Sequence, residues 1–132
     1  MAPGSLPVGS RGTASLVVAA EHTAQALGSG SVPVFSTPRL VALVEQAAVD
    51  AVKGWLAPGE TSVGTRMEIA HLAATPIGEH VRAEATLAAV DGRRMTFEVA
   101  AYDAHEKIGE GRHERVVVDE QRFLERVRRK GG

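Results

Sequence analysis

The chain has 132 residues, 44% apolar and 23% charged, which is the mixture of one ordinary globular domain able to bury a core without disulfides or a structural metal. It contains no cysteine, which excludes a disulfide framework, thiolate metal sites and a cysteine nucleophile. Fifteen basic residues against sixteen acidic ones leave a net charge of −1, so the molecule as a whole has no attraction for a polyanion and nucleic-acid binding is disfavoured.

Met1 to Gly12 is rich in Gly, Pro and Ser and has no periodicity. It is expected to be a flexible terminal segment, with a single ordered domain over 13–132. Thr13 to Ala20 reads as a short strand. Its apolar run, Leu16 to Ala20, is far below the roughly twenty residues needed to span a bilayer, and no leader or membrane anchor is visible. Together with the lack of cysteine, this leads us to expect a cytoplasmic protein. Glu21 to Val34 is polar, and Gly28-Ser29-Gly30-Ser31 within it suggests a mobile loop.

Ser36 to Lys53 carries the clearest helical signal. Thr37 suits the N-cap, and Pro38 suits the first helical position, where a missing N–H costs nothing. Leu40 to Val44 and Ala47 to Val52 are apolar on almost every side, which predicts an enclosed helix. Glu45 interrupts this run. It either lies on a narrow exposed stripe with Arg39, Gln46 and Lys53, or is a buried carboxylate whose pKa rises with loss of water into the range of a general base. Thr37 lies two turns before it, roughly 12 Å along the axis, too far for direct contact. A capping hydroxyl at a helix N-terminus can also serve a developing oxyanion, so the two roles of Thr37 are compatible.

Beyond Pro58-Gly59 the periodicity becomes alternating, in four strands over Thr61–Ala73, Glu79–Val90, Arg94–Tyr102 and Lys107–Val118. Asp91-Gly92 predicts a two-residue hairpin of type I′. His71 falls in the apolar stretch Ile69 to Ala73 and is either a hydrogen-bonded core residue or a proton-transfer group. The other four histidines show no metal-binding spacing, so no metal is expected. Gly109 and Gly111 mark a bulge or the close approach of another backbone. Asp119 to Lys130 reads as a short amphipathic helix. Its basic end, Arg122 to Lys130, is a solvated turn matched to the helix dipole or, alternatively, a contact for a phosphate-bearing ligand.

One helix followed by an antiparallel meander, with one earlier strand, is an α+β plan in which the sheet wraps the helix. A single copy leaves an edge strand and one side uncovered, so a homodimer, or a dimer of dimers, is expected.

Val34-Phe35-Ser36-Thr37, Glu45, Val63-Gly64-Thr65, His71 with Ala73-Ala74-Thr75-Pro76, Asp91-Gly92-Arg93-Arg94, and Ile108-Gly109 with Gly111 and His113-Glu114-Arg115 together resemble the fluoroacetyl-CoA thioesterase family, collinearly over roughly Val34 to Arg128. The resemblance implies a hotdog fold, a dimer with its site at the subunit interface, and hydrolysis of a small acyl-CoA without any cofactor beyond the CoA thioester substrate. It places Thr37, Glu45 and His71 at the family's catalytic positions, with Gly64 offering its N–H to the thioester oxygen and Arg115 orienting nearby charge. The family enzyme has a phenylalanine-containing lid ahead of its helix; Gly28 to Pro33 here has no aromatic, so fluoroacetate specificity is not implied. Two other readings are a non-catalytic acyl-CoA-binding dimer and a hotdog enoyl-CoA hydratase. The second lacks the closely spaced Asp and His of that family.

Overall fold

A computed structural model describes residues 6–131. In chain order it contains β1 (Arg11–Val17), a short 3-10 turn (Ala20–His22), the one-turn helix α1 (Ala24–Leu27), the long helix α2 (Thr37–Ala51), β2 (Glu60–His71), β3 (His80–Asp91), β4 (Arg94–Tyr102), β5 (Lys107–Asp119) and α3 (Glu120–Gly131). The strands form one antiparallel sheet in the order β1-β3-β4-β5-β2, curled around α2. This is the α+β plan expected from the periodicity.

Several local expectations need correction. The first strand starts at Arg11, and Leu6 is already buried in the core, so the chain is tied down well before Thr13; Met1 to Ser5 lie outside the described residues. Gly12 explains the early start. A Cβ there would fall 2.1 Å from the Ala47 carbonyl oxygen and 2.2 Å from the Ala51 nitrogen, so only glycine lets β1 lie directly on α2. The Ser10 hydroxyl donates to the Ala51 carbonyl (2.6 Å), one of the acceptors left open at the end of α2.

The N-cap of α2 is Ser36, whose Oγ accepts from the Arg39 N–H (3.2 Å). Thr37 is therefore the first helical residue rather than the cap, and its hydroxyl is released for other work. The helix is also less enclosed than its composition predicts. Leu40, Leu43, Val44, Ala47, Ala48 and Ala51 form a buried stripe at helical spacing, whereas Val49 on the opposite side is 46% exposed. One curled sheet covers only one side of a helix.

In the sheet, Val81, Ala83, Ala85 and Leu87 of β3 and Met95, Phe97, Val99 and Ala101 of β4 alternate inward against α2. β2 differs. It is twelve residues long, is bonded only to β5, and has no fully buried residue. Among glycines, Gly111 marks close backbone approach, since a Cβ there would overlap the Glu68 carbonyl oxygen at 1.8 Å. The β3–β4 hairpin loop is Gly92-Arg93, with Asp91 paired to Arg94. Gly92 has φ +59 and, among the described residues, none other than glycine has positive φ, which fits type II′ rather than the expected I′.

The segment expected to be a mobile loop is anchored. Thr23 caps α1 by accepting from the Ala26 N–H (3.1 Å), Gly28 closes it in the left-handed conformation, and the Ala24 and Gln25 N–H groups donate to the Val34 and Val32 carbonyls.

Candidate active site

The structure gathers the expected site residues into two groups along α2. At its N-terminus, the Thr37 hydroxyl lies 2.8 Å from His71 Nδ1, at the last residue of β2. Two strand-like contacts bring these ends together. The Phe35 N–H donates to the Thr75 carbonyl (2.8 Å), and Val34 forms an isolated bridge with Pro76. Thr75 itself is fully buried and donates its hydroxyl to Asp103 (2.9 Å) in the β4–β5 loop. The Ala73 to Pro76 stretch is thus a clamp that seats the end of β2 on the start of α2.

His71 is half-buried. Burial lowers its pKa from the ordinary 6.5, opposed by a backbone hydrogen bond at Ala73, so the ring is neutral near pH 7. Its Nδ1 faces Thr37, while Nε2 is enclosed and has no hydrogen-bond partner among the described residues.

Two turns along α2, Glu45 belongs to a second group. Its Oε2 lies 3.2 Å from Arg115 Nη1 and 3.9 Å from His113 Nε2. The imidazole beside Glu45 is therefore that of His113, while His71 sits with Thr37. Of the two readings of Glu45, an exposed stripe or a buried carboxylate, the structure gives neither outright: the side chain is 39% exposed and ion-paired.

Arg115 is buried and closely held. Its Nε donates to Ser62 Oγ (2.9 Å), its Nη2 to the Ser62 carbonyl (3.0 Å), and its Nη1 to Glu45. Burial lowers its pKa, and the Glu45 charge and hydrogen bond oppose that loss. Gly64 completes the group. A Cβ there would stand 2.7 Å from Glu45 Oε2, so the absence of a side chain lets the carboxylate lie against the β2 backbone. The β2–β5 register shifts between Gly64 and Arg66, a bulge that re-aims the edge strand here.

Ser62 and His113 were not singled out from the sequence as site residues. A signal existed for His113, because residues two apart on a strand share a face and His113 therefore points with Arg115. Nothing in the sequence pattern marks Ser62, which β2–β5 pairing brings alongside Val117.

A sheet wrapped around one helix, with polar groups at that helix's start and middle, defines the class: a hotdog protein of the thioesterase type. Residues 18–121 match the family described as fluoroacetyl-CoA-specific thioesterase, and the chain belongs to that family. It is similar to the fluoroacetyl-CoA thioesterase of Streptantibioticus cattleyicolor, with 44% identity over 97 residues, covering 74% of this chain and 70% of that protein. Among solved structures, the fluoroacetyl-CoA thioesterase FlK superposes with a TM-score of 0.89 at 39% identity, covering 96% of this chain and 98% of that one. A hot-dog-like protein from Thermanaerovibrio acidaminovorans superposes with a TM-score of 0.87 at 30% identity, covering 96% and 94%. A mutant form of FlK has been solved in complex with fluoroacetate and CoA.

Proposed function

We propose that this protein is an acyl-CoA thioesterase that hydrolyses a small acyl-CoA to the free acid and CoA, with Thr37, Glu45 and His71 as catalytic residues and Gly64 and Arg115 binding the substrate. Beyond family membership, the observation that carries this reading is the placement of Glu45: a half-exposed carboxylate, oriented by Arg115 and lying against the Gly64 backbone with no side chain between them.

Such a carboxylate supports two routes. In one, Glu45 attacks the thioester carbonyl, the C–S bond breaks, CoA leaves as thiolate, and water hydrolyses the resulting mixed anhydride. In the other, Glu45 removes a proton from water as the water attacks. In both, the Gly64 N–H is the proposed donor to the developing oxyanion, and neutral His71 with Thr37 transfers protons to or from the reacting groups. No cofactor beyond the CoA thioester is required. The lack of an aromatic between Gly28 and Pro33 favours general short-chain acyl-CoA over a fluoroacetyl group.

The reading includes a homodimer, which a dimer of dimers would extend. Its support is β2, a twelve-residue edge strand with one unpaired side, next to the exposed side of α2. Pairing of two such edges would bring a second protomer alongside Gly64 and His71, both on β2. A cytoplasmic location is also proposed, supported by the absence of cysteine; no described helix is long and apolar enough to cross a membrane.

Incubation with a panel of acyl-CoAs and detection of free thiol tests the reading. Thiol release supports it, hydration of an enoyl-CoA without thiol would make the protein a hydratase, and saturable binding without reaction would make it a carrier. Light scattering at micromolar concentration should give at least twice the 13.9 kDa chain mass. A monomer would overturn the dimer.

A further inference from the structure

His113 is buried in β5, with its ring stacked on Phe97 of β4 at 6.2 Å between centroids. Its Nδ1 lies 2.8 Å from the Arg66 carbonyl oxygen. A carbonyl only accepts, so Nδ1 carries a hydrogen. Burial lowers the His113 pKa from 6.5; the Arg115 charge acts in the same direction, while the Arg66 carbonyl and the Glu45 and Glu114 carboxylates oppose it. The ring therefore holds one proton near neutral pH, and Nε2 keeps its lone pair. That lone pair faces Arg115 Nη1 at 3.2 Å.

Arg115 consequently has a partner for four of its five N–H donors: Ser62 Oγ, the Ser62 carbonyl, Glu45 and His113. These partners are not equivalent during hydrolysis. Whether Glu45 is acylated or takes a proton from water, it loses its negative charge partway through the reaction. Its hold on the guanidinium weakens at that point. Ser62 and His113 do not change, and His113 is the one that anchors Nη1, the same nitrogen that faces Glu45.

We propose that His113 is a positioning residue: a neutral, Nδ1-protonated imidazole that accepts from Arg115 and keeps the guanidinium at Glu45 while the carboxylate charge is consumed and restored. This rests on the thioesterase reading given above. Nothing on His113 touches substrate in the proposal; it acts through Arg115.

Two measurements test it. In the wild-type protein at neutral pH, long-range proton–nitrogen NMR of the imidazole should show a protonated Nδ1 and an unprotonated Nε2; an Nε2–H tautomer or an imidazolium overturns the proposal. Kinetics then compare H113F, which keeps the ring stack but has no acceptor, with H113Q, whose amide oxygen can accept from Arg115. H113F should lower kcat roughly 10- to 100-fold, the scale of a small misplacement of a reacting group, with KM little changed, and H113Q should recover a clear part of the loss. A loss confined to KM, an equal loss in both variants, or no loss in H113F overturns it. If H113F does not fold, H113Q must still show reduced kcat with unchanged KM, and the tautomer decides alongside it. Wild-type protein that releases no thiol from any acyl-CoA would defeat the functional reading instead, leaving the tautomer measurement to judge the geometry on its own.

Discussion

The two ends of the site on α2 are held in different ways. At the helix start, Thr37 and His71 share one hydrogen bond, and their meeting depends on the clamp from Phe35 and Thr75. In the middle of the helix, Glu45 is one node of a network in which Arg115 reaches three residues and Gly64 leaves room for the carboxylate. A pair joined by one contact can be adjusted or lost without disturbing the fold. A network on a buried guanidinium is rigid, and its removal leaves unpaired polar groups.

The largest expected effect is on the second region. Glu45→Gln keeps the shape of the side chain but removes both its nucleophilic and its basic character. It should lower kcat by roughly 10²- to 10⁴-fold on an acyl-CoA the wild type hydrolyses. Undiminished turnover would remove Glu45 from the mechanism. Gly64→Ala comes next. Its Cβ would meet Glu45 Oε2 at 2.7 Å, and the flexible carboxylate gives way sooner than the backbone does. We expect a loss on the order of 10²-fold in kcat with the melting temperature nearly unchanged; a large drop in melting temperature would mean that the backbone had moved instead.

Smaller effects separate chemistry from capping at the helix start. Thr37→Val should cost up to about tenfold in kcat, the worth of one hydrogen bond, while Thr37→Ser should stay near wild type. Stability should respond to the neighbouring residue. Ser36→Ala removes the cap and should cost about 1 kcal/mol in a denaturant titration, whereas Thr37→Val should not. A reversed pattern would reassign the cap to Thr37.

The smallest effect is the pH dependence. His71 and His113 both have pKa values depressed below 6.5 by burial. Between 6.5 and the lower folded values, the unfolded chain binds more protons than the native one. Stability therefore falls as the pH falls through that window, and is unaffected by these groups above it. Activity should show an acid limb with an apparent pKa below 6.5. A limb above that value would point to a different titrating group.

Much of the fold was legible in the residue pattern, because alternation over four segments and one long apolar helix leave few ways to bury a core. The strand over Arg94–Tyr102 agrees residue for residue with the periodicity, and the other three meander strands agree to within one or two residues at either end. Boundaries failed where a neighbouring element decides them. Nothing in the composition of Ser10 to Gly12 shows that this stretch must lie on Ala47 and Ala51, and adjacent Ser and Thr residues before a proline offer two equally good caps.

The residue types of the site were likewise visible in the chain, but their partners were not. An acidic residue in an apolar helix and a histidine at the end of a strand can be found by reading along the sequence, since each departs from its local pattern, whereas Gly64 and Arg115 are marked only by the family resemblance. Their pairing depends on strand register and on a bulge at Thr65, which together place Arg115 rather than His71 beside Glu45 and expose the carboxylate more than the helix composition implies. Spacing along a chain determines which face a side chain occupies. Only the packing of β2 and β5 against α2 determines what it meets there, because that distance is set by elements far apart in sequence.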